Sequence, residues 1–376
     1  MIRSKNMASQ NLRTPGPTPL PATVREALAR DMIAHRGPEF AAVLGECLSG
    51  LQWGFQTQHD IVILTASGSG GLESLIPNTL SPNEPLLAVS IGYFGDRLAS
   101  IARTYGVDVL PLRFDDGQAA DPSTIAQKLE ERPDIHTVFV THNETSTGVL
   151  NPLPEIARAV RDVRPDVLLL VDGISSVGSV AVQPEAWGLD VLVAGSQKGW
   201  MVPPGLAFVA ISPRAWERNK QAKLPRMYFD WQPHKKAAGE GSTPWTPAVS
   251  LFYALQEGLK LMREEGLERI FARHQRVGRH TRQLLTDLGL RLLADPRFAS
   301  PTVTTAYVPA GVDAKALLRQ VHERHDVVLA GGQGRLDGQI VRIGHLGRVE
   351  EDELTRAVRA LQVELQAATG ANRPAA

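Results

Sequence analysis

Short runs of β-branched and aliphatic residues recur along the first two thirds of the chain, each followed by a stretch of helical length. Residues 60–65, 86–90, 108–112, 137–141, 167–172, 191–195 and 207–211 carry this pattern and are the predicted strands. Strands separated by helix-length connections imply right-handed crossovers and a largely parallel sheet. Residues 167–171 are apolar at every position, as expected of a central strand covered on both faces.

The pattern changes further on. Over 247–288 the strand signal stops, and Leu251, Leu255, Leu259 and Met262 recur at helical spacing, predicting one long amphipathic helix. Beyond it, strands are predicted at 302–308, 327–330 and 339–343, interleaved with helices at 314–324 and 350–366. At the other end, Thr14-Pro-Gly-Pro-Thr-Pro-Leu-Pro21 cannot form regular helix, because proline lacks a donor and restrains the residue before it. The expected organisation is an N-terminal arm (1–21), a large domain (22–255), and a smaller C-terminal α+β domain (256–376) that includes the linking helix. Met7 is an alternative start, which would make Met1 to Asn6 a leader of unassigned role, and the tail after Thr369 is expected to fray.

Composition narrows the function. With 43% apolar and 21% charged residues among 376, the chain can bury a sizeable core. Forty basic and forty acidic side chains cancel, so net charge recruits neither nucleic acid nor an anionic membrane, and a small metabolite is the expected partner. The one cysteine, Cys47, excludes an intrachain disulfide and a cysteine-cluster metal site, and fits a reducing compartment such as the cytoplasm. No stretch approaches the ~20 apolar residues of a membrane span, and no signal-peptide core precedes Pro15. The ten histidines form no metal-ligand spacing, and no Gly-x-Ser-x-Gly elbow is present.

Three features remain as candidate chemistry. Thr65-Ala-Ser-Gly-Ser-Gly-Gly-Leu-Glu73 follows a strand and opens a helix expected from Leu72 onward, so its amides can converge on an anion; a plain strand-to-helix turn explains it equally well. Asp172 ends a predicted central strand, where ligands of open α/β sheets bind, although a lone aspartate there is more often a cap or turn residue. Lys198 follows the next strand and by itself reads as a surface lysine. Together they form the set that pyridoxal phosphate needs: a lysine amine for its aldehyde, a carboxylate for its pyridine nitrogen, and a helix-terminal loop for its phosphate.

At these residues the chain resembles the class V, fold type I aminotransferases of the alanine-glyoxylate, serine-glyoxylate and serine-pyruvate branch. The likeness runs from Pro15-Gly-Pro-Thr18 to Arg342-Ile-Gly-His-Leu-Gly347. It is most specific in Leu170-Val-Asp-Gly-Ile-Ser-Ser-Val-Gly178, Ala194-Gly-Ser-Gln-Lys-Gly199 and Pro203-Pro-Gly205. The resemblance implies a large, mostly parallel seven-stranded sheet, with Lys198 joined to pyridoxal 5'-phosphate as a Schiff base and Asp172 paired with its ring nitrogen. It implies phosphate contacts at Ser67, Gly68, Ser69 and Gln197. Phe94, within Gly92-Tyr-Phe-Gly95, would stack on the ring, although an isolated phenylalanine there otherwise reads as core. Thr145 lies in His142-Asn-Glu-Thr-Ser-Thr-Gly148, near the ring oxygen by the same likeness; Asn143 and Thr145 replace the family's glycine and serine. Arg342 would hold a substrate carboxylate, the alternative being a solvent-facing arginine. Thr243 or Thr246 would reach the phosphate of the second subunit of a homodimer.

The activity so implied is transfer of the amino group of alanine or serine to glyoxylate or pyruvate by a ping-pong cycle. Other donors within the family (aspartate, aminoethylphosphonate, ureidoglycine, pyridoxamine) stay open. A desulfurase would need a catalytic cysteine in the second half of the chain, whereas Cys47 lies near the start. A non-catalytic relative would be expected to lack the lysine or the aspartate.

Overall fold

A computed structural model describes residues 10–370; Met1 to Asn6, and the tail beyond Gly370, lie outside the described residues. Seven strands build one sheet: β1 (Asp60–Thr65), β2 (Pro85–Ser90), β3 (Asp108–Arg113), β4 (Thr137–Thr141), β5 (Leu168–Asp172), β6 (Val191–Gly195) and β7 (Leu206–Ile211), in the order β1-β7-β6-β5-β4-β2-β3. The neighbours from β3 through β6 pair parallel, and β7 runs antiparallel to both β6 and β1. The reversal follows from chain length: residues 196–205 are too few for a helical crossover, which takes about a dozen residues or more. Lys198 lies in that short return.

Side chains alternate between two cores, as a strand's two-residue period requires. On β5, Leu169 and Val171 enter one core while Leu168 and Leu170 enter the other; on β4, Val138 and Val140 oppose Phe139. The second core is closed by α1 (Gly68–Thr79) through Leu72, Leu75 and Ile76, and by α2 (Tyr93–Thr104) through Leu98 and Ala102. The unbroken apolar reading of β5 therefore reflects helices on both faces.

The long helix expected over 247–288 is two helices, α3 (Val249–Glu265) and α4 (Leu267–Asp287). Gly266 separates them with φ at 84°, a left-handed conformation that ends α3. A three-stranded antiparallel sheet follows, β8 (Val303–Tyr307), β9 (Ala330–Gly331) and β10 (Ile340–Gly344), in the order β8-β10-β9. Its own core joins Ala306, Val341 and Ile343 to Leu317 and Val321 of α5 (Ala314–His325) and to Leu354, Val358 and Leu361 of α6 (Glu351–Thr369).

The proline-rich arm is extended and anchored. Asn11 and Leu12 pair with Val327 and Val328, Gly344 N donates to the Arg13 carbonyl at 2.7 Å, and buried Arg13 meets Glu353 at 3.1 Å. Among the described residues no helix is long and apolar enough to cross a membrane.

Candidate active site

The register of the sheet brings the candidate residues to one edge. Asp172 is opposite Thr141 on one side and Val193 on the other, so β4, β5 and β6 present their carboxyl ends together. Helix α1 starts at the same edge. It begins at Gly68 rather than near Leu72: Ser67 is the N-cap and its Oγ accepts from Gly70 N at 3.4 Å. The glycines that make the segment look like a loop serve packing. A Cβ on Gly71 would come within 2.9 Å of Ala207 Cβ and Val193 Cγ1, so this turn of α1 lies directly on β6 and β7.

Ser67, Gly68, Ser69, Phe94, Thr145, Asp172, Gln197 and Lys198 line one pocket, joined by Arg97 and Asn143. Arg342 borders it from β10, its Nη1 donating to the Thr145 carbonyl at 3.1 Å and to Gln333 Oε1 at 3.0 Å, and its Nε to the Gly331 carbonyl at 2.6 Å. Thr243 and Thr246 do not line this pocket; Thr243 Oγ1 donates to the Trp245 carbonyl at 2.7 Å, and Thr246 is exposed.

Burial dominates the electrostatics. Asp172 is 6% exposed, and loss of water pushes its carboxyl up to about 7; the bond from Ile174 N at 2.9 Å opposes this, and Glu144 reinforces it. Burial likewise pushes the Lys198 ammonium down to about 8, with the Arg342 charge adding to the effect and Asp172 opposing it. Lys198 Nζ donates to the Pro15 carbonyl of the arm, and Thr18 Oγ1 donates to the Lys198 carbonyl at 3.2 Å. Arg342, 6% exposed, is drawn down to about 10 by desolvation, against the attraction of Glu144.

Two groups in and around the pocket were not singled out from the sequence. Glu144 is fully buried, and its Oε2 accepts from the amides of Phe94 and Gly95 at 3.0 and 3.2 Å. Its Oε1 accepts from Ser146 N and Oγ at 3.0 and 2.7 Å. The carboxylate therefore satisfies the first amides of α2 and fixes Phe94, even though desolvation raises its pKa. Arg97, one helical turn beyond Phe94, donates from Nη1 to Ser69 Oγ at 3.1 Å, with its guanidinium 4.9 Å from the Phe94 ring centroid. The sequence held a signal for each: Glu144 lies inside a motif of interest, and Arg97 shares a helix face with Phe94.

These residues fit pyridoxal phosphate. Among the described residues, the Gly68 and Ser69 amides at the start of α1 have no backbone acceptor, which leaves them to an anion. Asp172 Oδ1 is engaged by Ile174, while its second oxygen receives no hydrogen bond from the described residues and can accept from a ring N–H. The partly deprotonated Lys198 amine suits an aldehyde, and Phe94 offers an aromatic face in the same pocket.

Comparison with known proteins agrees. The family model for class-V aminotransferases matches residues 25–339. A protein named soluble hydrogenase, small subunit, from Synechococcus sp. is 43% identical over 94% of this chain and 92% of its own length. The L-aspartate–glyoxylate aminotransferase of Paracoccus denitrificans is 37% identical over 92% of this chain and 88% of its own. The crystal structure of an alanine–glyoxylate aminotransferase from Nostoc sp. superposes with a TM-score of 0.92 at 31% identity, covering 97% of each chain. The family model spans more than half of the chain and the structural match nearly all of it, and the chain therefore belongs to the class-V aminotransferases, pyridoxal-phosphate-dependent transaminases that exchange amino groups between amino and 2-oxo acids.

Proposed function

We propose that this transaminase moves the amino group of a small L-amino acid, alanine or serine, to glyoxylate or pyruvate in two half-reactions. The observation that carries the reading is the joint presence, around one pocket, of a half-buried lysine with lowered pKa, a buried carboxylate and an arginine reaching across from the small sheet. The cofactor, when bound, supplies an electron sink for the charge left at the substrate α-carbon. Ser67, Gly68, Ser69 and Gln197 hold its phosphate, Phe94 its ring face, Thr145 its ring oxygen, and Asp172 accepts from its ring nitrogen.

Arg342 binds the α-carboxylate of either substrate, its planar fork already aligned by Gly331, Gln333 and Thr145. Lys198 Nζ, its pKa lowered by burial, takes the donor's α-proton in one half-reaction and delivers a proton to the α-carbon formed from the oxo acid in the other. The Pro15–Gly16 arm packs against this amine and accepts its hydrogen bond. The working unit is a cytoplasmic homodimer in which Thr243 or Thr246 reaches the neighbouring phosphate. Neither lines its own chain's pocket, which suits that role. The division into an arm (1–21), a large domain (22–255) and a small domain (256–376) belongs to the same reading.

Aspartate is the second donor to test, since the Paracoccus relative is named for it. The hydrogenase name of the Synechococcus relative is not carried over to this chain, whose family and pocket are those of a transaminase. The deciding experiment is an absorption spectrum of the purified holoenzyme titrated with L-alanine, L-serine and L-aspartate, then with glyoxylate. Alanine or serine should discharge the long-wavelength cofactor band and glyoxylate should restore it. Discharge by aspartate alone would refute the donor assignment. In the Lys198→Ala variant the half-reaction should slow by at least about 10²–10⁴-fold with the fold retained, and near-wild-type turnover would end the lysine's assignment.

A further inference from the structure

We propose that Arg97 is the cation that balances the cofactor's phosphate dianion, a role resting on the reading of this pocket as the pyridoxal phosphate site. Helix α1 directs amides and hydroxyls of Ser67, Gly68 and Ser69 toward that group, but these donors carry no full positive charge. Arg97 supplies one beside them. Its Nη1 is tied to Ser69 Oγ at 3.1 Å, and its guanidinium carbon lies 4.9 and 5.2 Å from the ring centroids of Phe94 and Tyr93.

Among the described residues Arg97 has no carboxylate within ion-pair distance, and the adjacent Asp96 is engaged by Arg113 at 3.2 Å and Ser90 Oγ at 2.8 Å. A pocket-lining guanidinium fixed by a hydroxyl and two rings, with no ion pair among the described residues and only a longer-range attraction to Asp172, is suited to an anionic ligand. The candidate anions are a phosphate and a second substrate carboxylate. Attachment to Ser69, at the helix start whose amides are open, favours the phosphate.

The test separates the phosphate from the rest of the cofactor. Full-length cofactor-free wild type, Arg97→Gln and Arg97→Lys are titrated with pyridoxal phosphate and with pyridoxal, which lacks the phosphate, and binding is read by tryptophan fluorescence and absorption. Arg97→Gln should lose roughly tenfold or more in affinity for pyridoxal phosphate and keep its affinity for pyridoxal within about threefold. Arg97→Lys should recover most of the loss. Arg97→Met, which keeps an apolar stem over Phe94, replaces Arg97→Gln if that variant does not fold.

An equal loss for both ligands would show that Arg97 only supports Phe94 and would overturn the proposal. Unchanged affinity for both, with a raised KM for aspartate but not alanine, would also overturn it and assign the cation to substrate. If wild type binds pyridoxal phosphate normally and the variants do too, this inference fails alone; if wild type does not bind it, the function proposed above fails as well.

Discussion

Asp172 and Lys198 stand at the same edge of neighbouring parallel strands, and burial brings their pKa values to about 7 and about 8, close to each other from opposite directions. The fold thus moves both groups away from their ordinary values, toward neutral pH, at a cost that local structure alone does not explain.

That cost has a measurable sign for Asp172. Its carboxyl would ionise near the ordinary 3.8 in the unfolded chain and near 7 in the folded one, so the folded state binds the extra proton between those values. Stability falls as pH rises through that window, and the penalty is fully present above it. Asn carries no such charge. Asp172→Asn should therefore raise the melting temperature of the cofactor-free chain by a few degrees at pH 8, with the gain shrinking toward pH 5, while turnover drops at least about tenfold, 1.4 kcal/mol of barrier. Parallel thermal melts across pH check the first half; a variant less stable than wild type at pH 8 would refute it.

Replacing Arg342 with methionine should raise KM for both the amino acid and the oxo acid by roughly 10–100-fold, because a charge-assisted contact is lost from each half-reaction. The carbonyls of Gly331 and Thr145 also lose their donor, so about 1–3 kcal/mol of stability should go with it. Initial rates over both substrate concentrations, with a denaturant melt, measure the two effects. Loss of kcat with KM unchanged would place Arg342 outside carboxylate binding.

Gly16 presses on the same lysine from the arm. Its φ of 123° disfavours any side chain, and a Cβ would fall 2.6 Å from Lys198 Nζ and 2.8 Å from its Cδ. In Gly16→Ala either the arm or the lysine must move, at a cost on the order of 1–3 kcal/mol. The expected result is faster amide exchange over 11–18 and reduced turnover, with the melting of the main sheet unchanged. Wild-type exchange and rate would show that the arm does not bear on Lys198.

Apolar runs located the seven strands of the large sheet, because a sheet buried on both faces imprints stretches such as residues 167–171, whereas the strand expected over 327–330 is split between the pairing with the arm and the three-stranded sheet. Residue type and local spacing also made Asp172, Lys198 and the segment at Ser67 readable as candidate chemistry. They did not reveal the break at Gly266, since the apolar repeat has the same helical period on both sides of a single left-handed residue. Nor did they start α1 at Gly68, since glycines that serve close packing, as Gly71 does against β6 and β7, look like a loop until their neighbours are in place. The antiparallel return of β7, the hold of Pro15 on Lys198, Glu144 under α2 and Arg97 beside Ser69 all join residues from separate segments. Such contacts depend on strand order and on which groups lose water together, and tertiary structure alone decides both.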